Sequence, residues 1–486
     1  MKKIIIIFTV AGLFCSANSC SNDWLNLAPS TSLSSLDAVE NYNDVYSLMI
    51  GAYHGLRNTG AAYYGATMWY YGDVRADDMQ ARTTGMRASA CYEMIYTALS
   101  APNLWSSPYG LIHRANEVIF AIEEGTADDG APADVNNLLG QALTIRALCH
   151  FDLVRVYGKP YSMSGAPASY GVPIIIERHV TDYKPTRNSV EEVYTAVLND
   201  LARAIPLLPT AKLNGYINQW AAKSLLARVY LYKGDYNNAY TTAVDVINNG
   251  GYPLWEYDEY ADAWKSQFGK ENIFELIIQS NDAWTDREGI AYLLNEEGYA
   301  DYIMTKSFID LMDQPENLND IRHSVMKKPT LLNFLTDPFW DVPVFLTKLP
   351  GQGTDLRFNN IPMFRIAEQY LIAAEAALKK SSPDQAMADT YLNALISKRN
   401  PTKAPVTATE EAIITERRIE LVGEGHRFFD CMRLDLTIER PDGGWHVPLI
   451  LDSRKFDRNY YRTLLPIPSG EMDANSNIRG QQNPGY

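Results

Sequence analysis

Cysteine is scarce in this chain. Its 486 residues include 5 cysteines, two of them in the first twenty positions, which leaves Cys91, Cys149 and Cys431 for the body. Three thiols so far apart form neither a disulfide framework nor a zinc-ligand spacing. Cys149 lies on an apolar helical face, where a packed thiol is expected. Long apolar runs are also missing: beyond the N-terminus nothing approaches the roughly 18 uncharged residues of a spanning helix. Positive charge is in deficit, with 43 Lys plus Arg against 58 Asp plus Glu, a formal net charge of −15. A sequence-independent grip on nucleic acid needs clustered cations, so nucleic acid is excluded as a partner. Catalytic signatures are absent as well: GxSxG, GxxxxGK(S/T) and HExxH do not occur, and the 7 histidines never sit four apart.

What is present is a folded composition, 46% hydrophobic and 11% aromatic, with 31 Tyr against 15 Phe. Tyrosine suits surfaces that are apolar on one side and wet on the other. Met1-Lys2-Lys3 followed by the apolar run from Ile4 to Phe14 reads as a secretory signal. Ala17-Asn18-Ser19-Cys20 then resembles a bacterial lipobox, departing from it at Ala17 and Asn18. The expectation is a signal peptide over 1–19, cleavage before Cys20, and acyl chains on that thiol holding the body on a membrane.

Helical periodicity dominates the body. Tyr42, Val45, Tyr46, Met49, Ile50 and Tyr53 form one stripe; Leu111, Ile112, Ala115, Val118, Ile119 and Ile122 form another. Ala222 to Val229 and Ala239 to Ile247 make a helix pair around Gly234-Asp235, and Ala367 to Ala374 and Ala388 to Ile396 make a second around Ser381-Ser382-Pro383. Such pairs are of tetratricopeptide type, each burying its face on the next. The fold class expected is mainly α, a helix-pair scaffold over 36–56, 107–250 and 361–433 within one domain over 20–486. Residues 58–105 and 252–360 are irregular and rich in Gly, Pro, Trp and Tyr, and only Asn272 to Gln279 reads as a strand. Irregular segments on a regular scaffold are where binding residues sit.

Several segments together resemble the SusD/RagB family: DWLNLAPS at 23–30, QALTIRALCHFDLVRVYGKPY at 141–161, AAKSLLARVYLYKGDYNNA at 221–239, FRIAEQYLIAAEAAL at 364–378, ITERRIELVGEGHRFFDCMR at 414–433, LLPIPSGEMDANSN at 464–477 and QNPGY at 482–486. The resemblance implies a lipoprotein of the bacterial outer membrane that captures a nutrient, most often an oligosaccharide. It passes this to a SusC-like TonB-dependent transporter. The alternative is a peptide ligand handled in the same way. Ser21-Asn22-Asp23 is a poor form of the acidic surface-export signal such lipoproteins carry, so surface exposure rests on the resemblance.

Glu416, Glu420 and Glu424 recur four apart on one helix face, which demands cations opposite; Arg146, Arg155, Arg365, Arg427 and Arg433 are the partners expected. A glycosidase would need one carboxyl of raised pKa, whereas arginine pairing lowers it, so the cluster reads as structural and no enzyme is expected. Asp73, Asp77 and Asp78 could hold Ca²⁺ through hard oxygens, but a solvated loop or a helix cap is the preferred reading, and no metal or other cofactor is expected. A sugar offers an apolar face to flat rings and a rim of hydroxyls to polar groups. In the family the platform draws on segments that map to 63–105 and 280–345. The ligand-binding residues expected there are the rings of Trp69, Tyr71, Trp284 and Tyr299 with Asp77, Arg82 and Asn281 at the rim.

Overall fold

Local signals start and stop the helices where the sequence places them. The computed structural model describes residues 39–57, 63–83, 85–178, 183–278, 287–330, 343–353, 355–440 and 449–486. Cys20, Asn281 and Trp284 lie outside the described residues. Helix α1 is Tyr42–Arg57, α2 is Thr67–Asp73, α3 is Ser106–Glu123 and α4 is Pro132–Tyr157. Pro132 opens α4 because the first helical residue has no N–H partner to lose. Helix α5, Val190–Ala204, starts with a reciprocal capping box between Ser189 and Glu192. Helix α6, Gln219–Lys233, is capped by the Asn218 side chain and ends at Gly234, whose φ of 78° is left-handed. Asp235, Asp384 and Thr409 cap α7 (Tyr236–Asn249), α9 (Gln385–Arg399) and α10 (Glu410–Leu421). Helix α8 is Ile366–Lys379 and α11 is Arg427–Leu434.

Successive helices lie against one another: α3 on α4, α4 on α5, α6 on α7, α7 on α8 and α8 on α9. Alanines make this approach close. Ala222, Ala227, Ala239, Ala243, Ala373, Ala374, Ala376 and Ala377 are wholly buried, so backbones meet with little side chain between them. The protein is thus mainly helical. Its strands are short and pair in twos: β1 (Met79–Ala81) with β3 (Tyr302–Met304), β2 (Asn272–Leu276) with β6 (Ile361–Arg365), β4 (Met326–Lys327) with β5 (Phe345–Leu346), and β7 (Ile438–Glu439) with β8 (Lys455–Phe456), all antiparallel. Only β2 was legible as a strand. The others are two or three residues long, too short for alternation to show, except β6, whose five residues are all buried and so do not alternate.

A buried ionic cluster joins the irregular segments to the scaffold. Glu420 accepts from Arg365 at 2.8 Å and from Arg399 at 3.0 Å. Glu271, just before β2, accepts from the same two arginines at 3.1 and 2.7 Å. Arg322 reaches Glu416 at 2.5 Å and Asp320 at 2.6 Å, and Glu424 is held by Arg365 at 2.6 Å and Lys348 at 2.7 Å. Arg365 is the one cation in this cluster among the five expected. Arg146 pairs instead with Asp200, Arg155 with Asp152, Arg427 with Asp77, and Arg433 with Glu375 and Asp430. Burial alone would raise the Glu420 carboxyl, yet the three arginines outweigh it and hold it well below the usual carboxylate range. A group so held stays ionised and is no acid catalyst. In the same way burial is overcome at Glu368, which Arg228 at 2.6 Å holds at about 2. Its contribution to stability is complete above the ordinary glutamate range and is lost only as pH falls toward about 2.

Removing the central carboxylate leaves guanidinium groups buried and undercompensated. Glu420→Gln is expected to cost ~3–5 kcal/mol in urea unfolding. A loss under about 1 kcal/mol would show that the cluster is not what joins these segments.

Candidate functional site

The aromatic stretch at 63–71 is core rather than surface. Every residue of α2 is buried. Trp69 is 5% exposed, and its indole N–H donates to the Tyr64 carbonyl at 3.0 Å. Tyr71 is fully buried between Phe428, Phe429 and the Arg75 guanidinium, which lies 4.2 Å from its ring. These two rings therefore cannot stack on a ligand, contrary to expectation. The cause lies at Gly72: a Cβ there would come 2.1 Å from the Gly425 carbonyl oxygen, so α2 is pressed flat onto the turn before α11. Asp77 is likewise no rim group, since its carboxylate takes a bidentate grip from Arg427 at 2.7 and 2.8 Å. Asp78 is bound by Arg418 at 2.5 Å, and Asp73 accepts from the Gly425 N–H at 3.0 Å. The acidic loop is thus a set of scaffold anchors, and among the described residues no group of three or more His, Cys, Asp or Glu could hold a metal.

Tyr299 is different. It is half-buried, and its ring meets that of half-buried Tyr292 edge-on at 4.9 Å between centroids. A tight turn sets this pair. The Tyr299 N–H donates to the Tyr292 carbonyl at 2.8 Å and the Asp301 N–H to the Leu293 carbonyl at 2.7 Å. A Cβ at Gly298 would fall 2.0 Å from that Tyr292 oxygen, so only glycine closes the turn. Arg82, expected at the rim, is half-buried and bonds to the backbone of this turn. Its Nε donates to the Ala300 carbonyl at 2.6 Å, and its own N–H donates to Asp301 at 2.9 Å, continuing the β1–β3 pairing. Arg82 positions Tyr299.

Arg87 and Arg287 lie beside the two rings. The Arg87 guanidinium lies 3.9 Å from the Tyr299 centroid and is forked onto Glu288; its backbone N–H donates to Asp301 Oδ2 at 3.2 Å. Arg287 is exposed, 6.0 Å from the Tyr292 ring. Arg357 lies 5.1 Å from the Phe358 ring and pairs with Asp355 at 2.6 Å. Burial pushes the Asp301 carboxyl up to about 6, a shift that Arg87 moderates. Sequence reading picked Tyr299 and Arg82 but missed Tyr292, Arg87, Arg287 and Arg357. The available signal was the pair of tyrosines flanking the Asn295-Glu296-Glu297-Gly298 turn.

The fold defines a class: tetratricopeptide-like helix stacks that carry irregular insertions on one scaffold. Comparison with known proteins narrows it. Residues 23–231 match a family model described as starch-binding, associating with outer membrane, and residues 345–486 match the SusD family model. A SusD superfamily protein of Bacteroides thetaiotaomicron is 37% identical and superposes with a TM-score of 0.83, covering 91% of this chain and 100% of that one. A SusD superfamily protein of Bacteroides vulgatus is 33% identical with a TM-score of 0.82, covering 92% and 99%. The starch-binding protein SusD of Bacteroides thetaiotaomicron is 32% identical over 129 residues, 26% of this chain and 22% of that protein. The chain belongs to the SusD/RagB family. The family is one of outer-membrane-associated proteins, and among the described residues no helix is long and apolar enough to cross a membrane.

The raised Asp301 carboxyl gives a pH signature. Its neutral form favours the fold, so that contribution is present below the usual aspartate range and is lost as pH rises through about 6. Asp301→Asn keeps the acceptor for Arg87 and removes the charge. The melting temperature of the variant relative to wild type should rise between pH 5 and pH 7.5, and a constant difference would count against a buried, titrating Asp301.

Proposed function

We propose that this protein is a non-catalytic, lipid-anchored receptor at the outer-membrane surface that binds an oligosaccharide on the face built around Tyr292 and Tyr299. It delivers the sugar to a SusC-like TonB-dependent transporter. The observation that supports it is the half-open tyrosine pair, held in place by backbone hydrogen bonds and by Arg82. Rings fixed before the ligand arrives lose little entropy on stacking against a sugar face. The named relative binds starch, and the family model that covers the first half of the chain carries the same description. Anchoring rests on Cys20 after the signal peptide, with two or more acyl chains sufficing to hold the body on the bilayer. The carboxylates of Glu416, Glu420 and Glu424 are spent on buried arginine and lysine partners and lie in the scaffold, which supports binding over hydrolysis by that cluster.

Binding of a glycan array by the soluble chain from Ser21 onward tests this reading. Against any oligosaccharide hit, Tyr299→Ala is expected to weaken affinity about tenfold or more, the loss typical of a stacking hot spot. Trp284→Ala, chosen from its place in the polar run Ser280-Asn281-Asp282-Ala283-Trp284, should do the same, and Asn281→Ala should cost less. Unchanged titrations with both ring variants would remove aromatic stacking as the means of capture.

A further inference from the structure

We infer that a polar pocket beside β2, lined by Trp264 and Asn272, receives the hydroxymethyl arm of a hexose, so that the glycan captured is built of hexoses. This rests on the oligosaccharide reading above and adds the class of sugar. Ser266 and Gln267 are the exposed side chains of the pocket and mark its mouth. Five others that line it, those of Trp264, Asn272, Glu275, Lys348 and Asn360, carry polar atoms and are buried. Burying polar groups is costly, and apolar residues would close the same gap at less cost. Leu349 belongs to the wall, and its carbonyl accepts from Asn295 Nδ2 at 2.9 Å, which ties the pocket to the turn between Tyr292 and Tyr299.

The charged groups of the pocket are committed. Glu275 accepts from the Phe268 N–H at 2.9 Å, from Asn360 Nδ2 at 3.0 Å and from Asn272 Nδ2. Lys348 Nζ donates to the Glu420 carbonyl at 2.6 Å and to Glu424 at 2.7 Å. Among the described residues one lining donor and one lining acceptor have no partner, Trp264 Nε1–H and Asn272 Oδ1. The two residues are 6% and 5% exposed. The pocket they line has a volume of about 20 Å³, room for one water-sized group and far too little for a sugar ring. The group of that size that both donates and accepts is a hydroxyl. A carboxylate only accepts and leaves the Asn272 oxygen unpaired, whereas an ammonium only donates and leaves the indole N–H unpaired. A hydroxymethyl arm carries its hydroxyl through the mouth while the ring stays outside.

A glycan array of hexose, uronate and pentose chains with one linkage tests this, because they differ only in the arm: hydroxymethyl, carboxylate or hydrogen. Isothermal titration of the hits follows with wild type, Trp264→Phe and Ser266→Trp. Trp264→Phe removes the indole N–H, and Ser266→Trp blocks the mouth from an exposed position. Melting curves check both, and the second variant carries the test if the first does not fold. The expected result is binding of hexose chains at least about tenfold tighter than of uronate and pentose chains, with the preference lost in each folded variant. Equal affinity for the three arms, tighter binding of a pentose or uronate chain, or a preference unchanged in the folded variants overturns the inference while the oligosaccharide reading stands. So does a crystal structure of a hexose complex in which water alone fills the pocket. No binding to any glycan overturns both.

Discussion

The buried contact between Glu420 and the guanidinium groups of Arg365 and Arg399 holds the two halves of this molecule in register. Glu420 belongs to α10, Arg399 to α9 and Arg365 to the junction of β6 with α8, while Glu271 from the edge of β2 closes the ring. Such a cluster adds little net stability over well-packed apolar residues, because each charge must leave water. It does fix where an irregular segment may sit. A β2 displaced by one residue would strand Glu271 without its arginines, so long stretches lacking regular structure still have one seat on the helix stack.

Similar pairs recur at the first insertion. Asp77 on Arg427 and Asp78 on Arg418 tie the chain after α2 to α10 and α11, and Gly72 against Gly425 leaves no room between them. The aromatic residues of that insertion are accordingly drawn inward, where Trp69 and Tyr71 become core. In the second insertion Arg87 holds Glu288 and Asp301, and Arg82 holds the backbone at 299 to 301. Tyr292 and Tyr299 remain half-open, so a single aromatic-rich composition packs as core in one place and leaves rings partly uncovered in another.

This explains what the sequence could disclose. Helices were legible because apolar residues recur with the helical period and Asn218, Asp235, Asp384 and Thr409 mark their starts. Four-residue spacing of Glu416, Glu420 and Glu424 demanded cations, but the choice of Arg322, Arg399 and Lys348 depends on contacts between remote segments. Exposure of rings in the irregular segments and in so short a helix as α2 has no period to betray it. Trp69 and Tyr299 look alike in sequence, and only the close approach at Gly72 and the turn at Gly298 separate them.

Arg82 grips the carbonyl oxygens of residues 299 and 300, a feature every amino acid shares. The hold on this loop is therefore indifferent to which side chains it displays. Replacing the ring at 299 by another group would change the surface on display while leaving the perch intact, so the face of this loop can vary by point substitution without rebuilding the frame beneath.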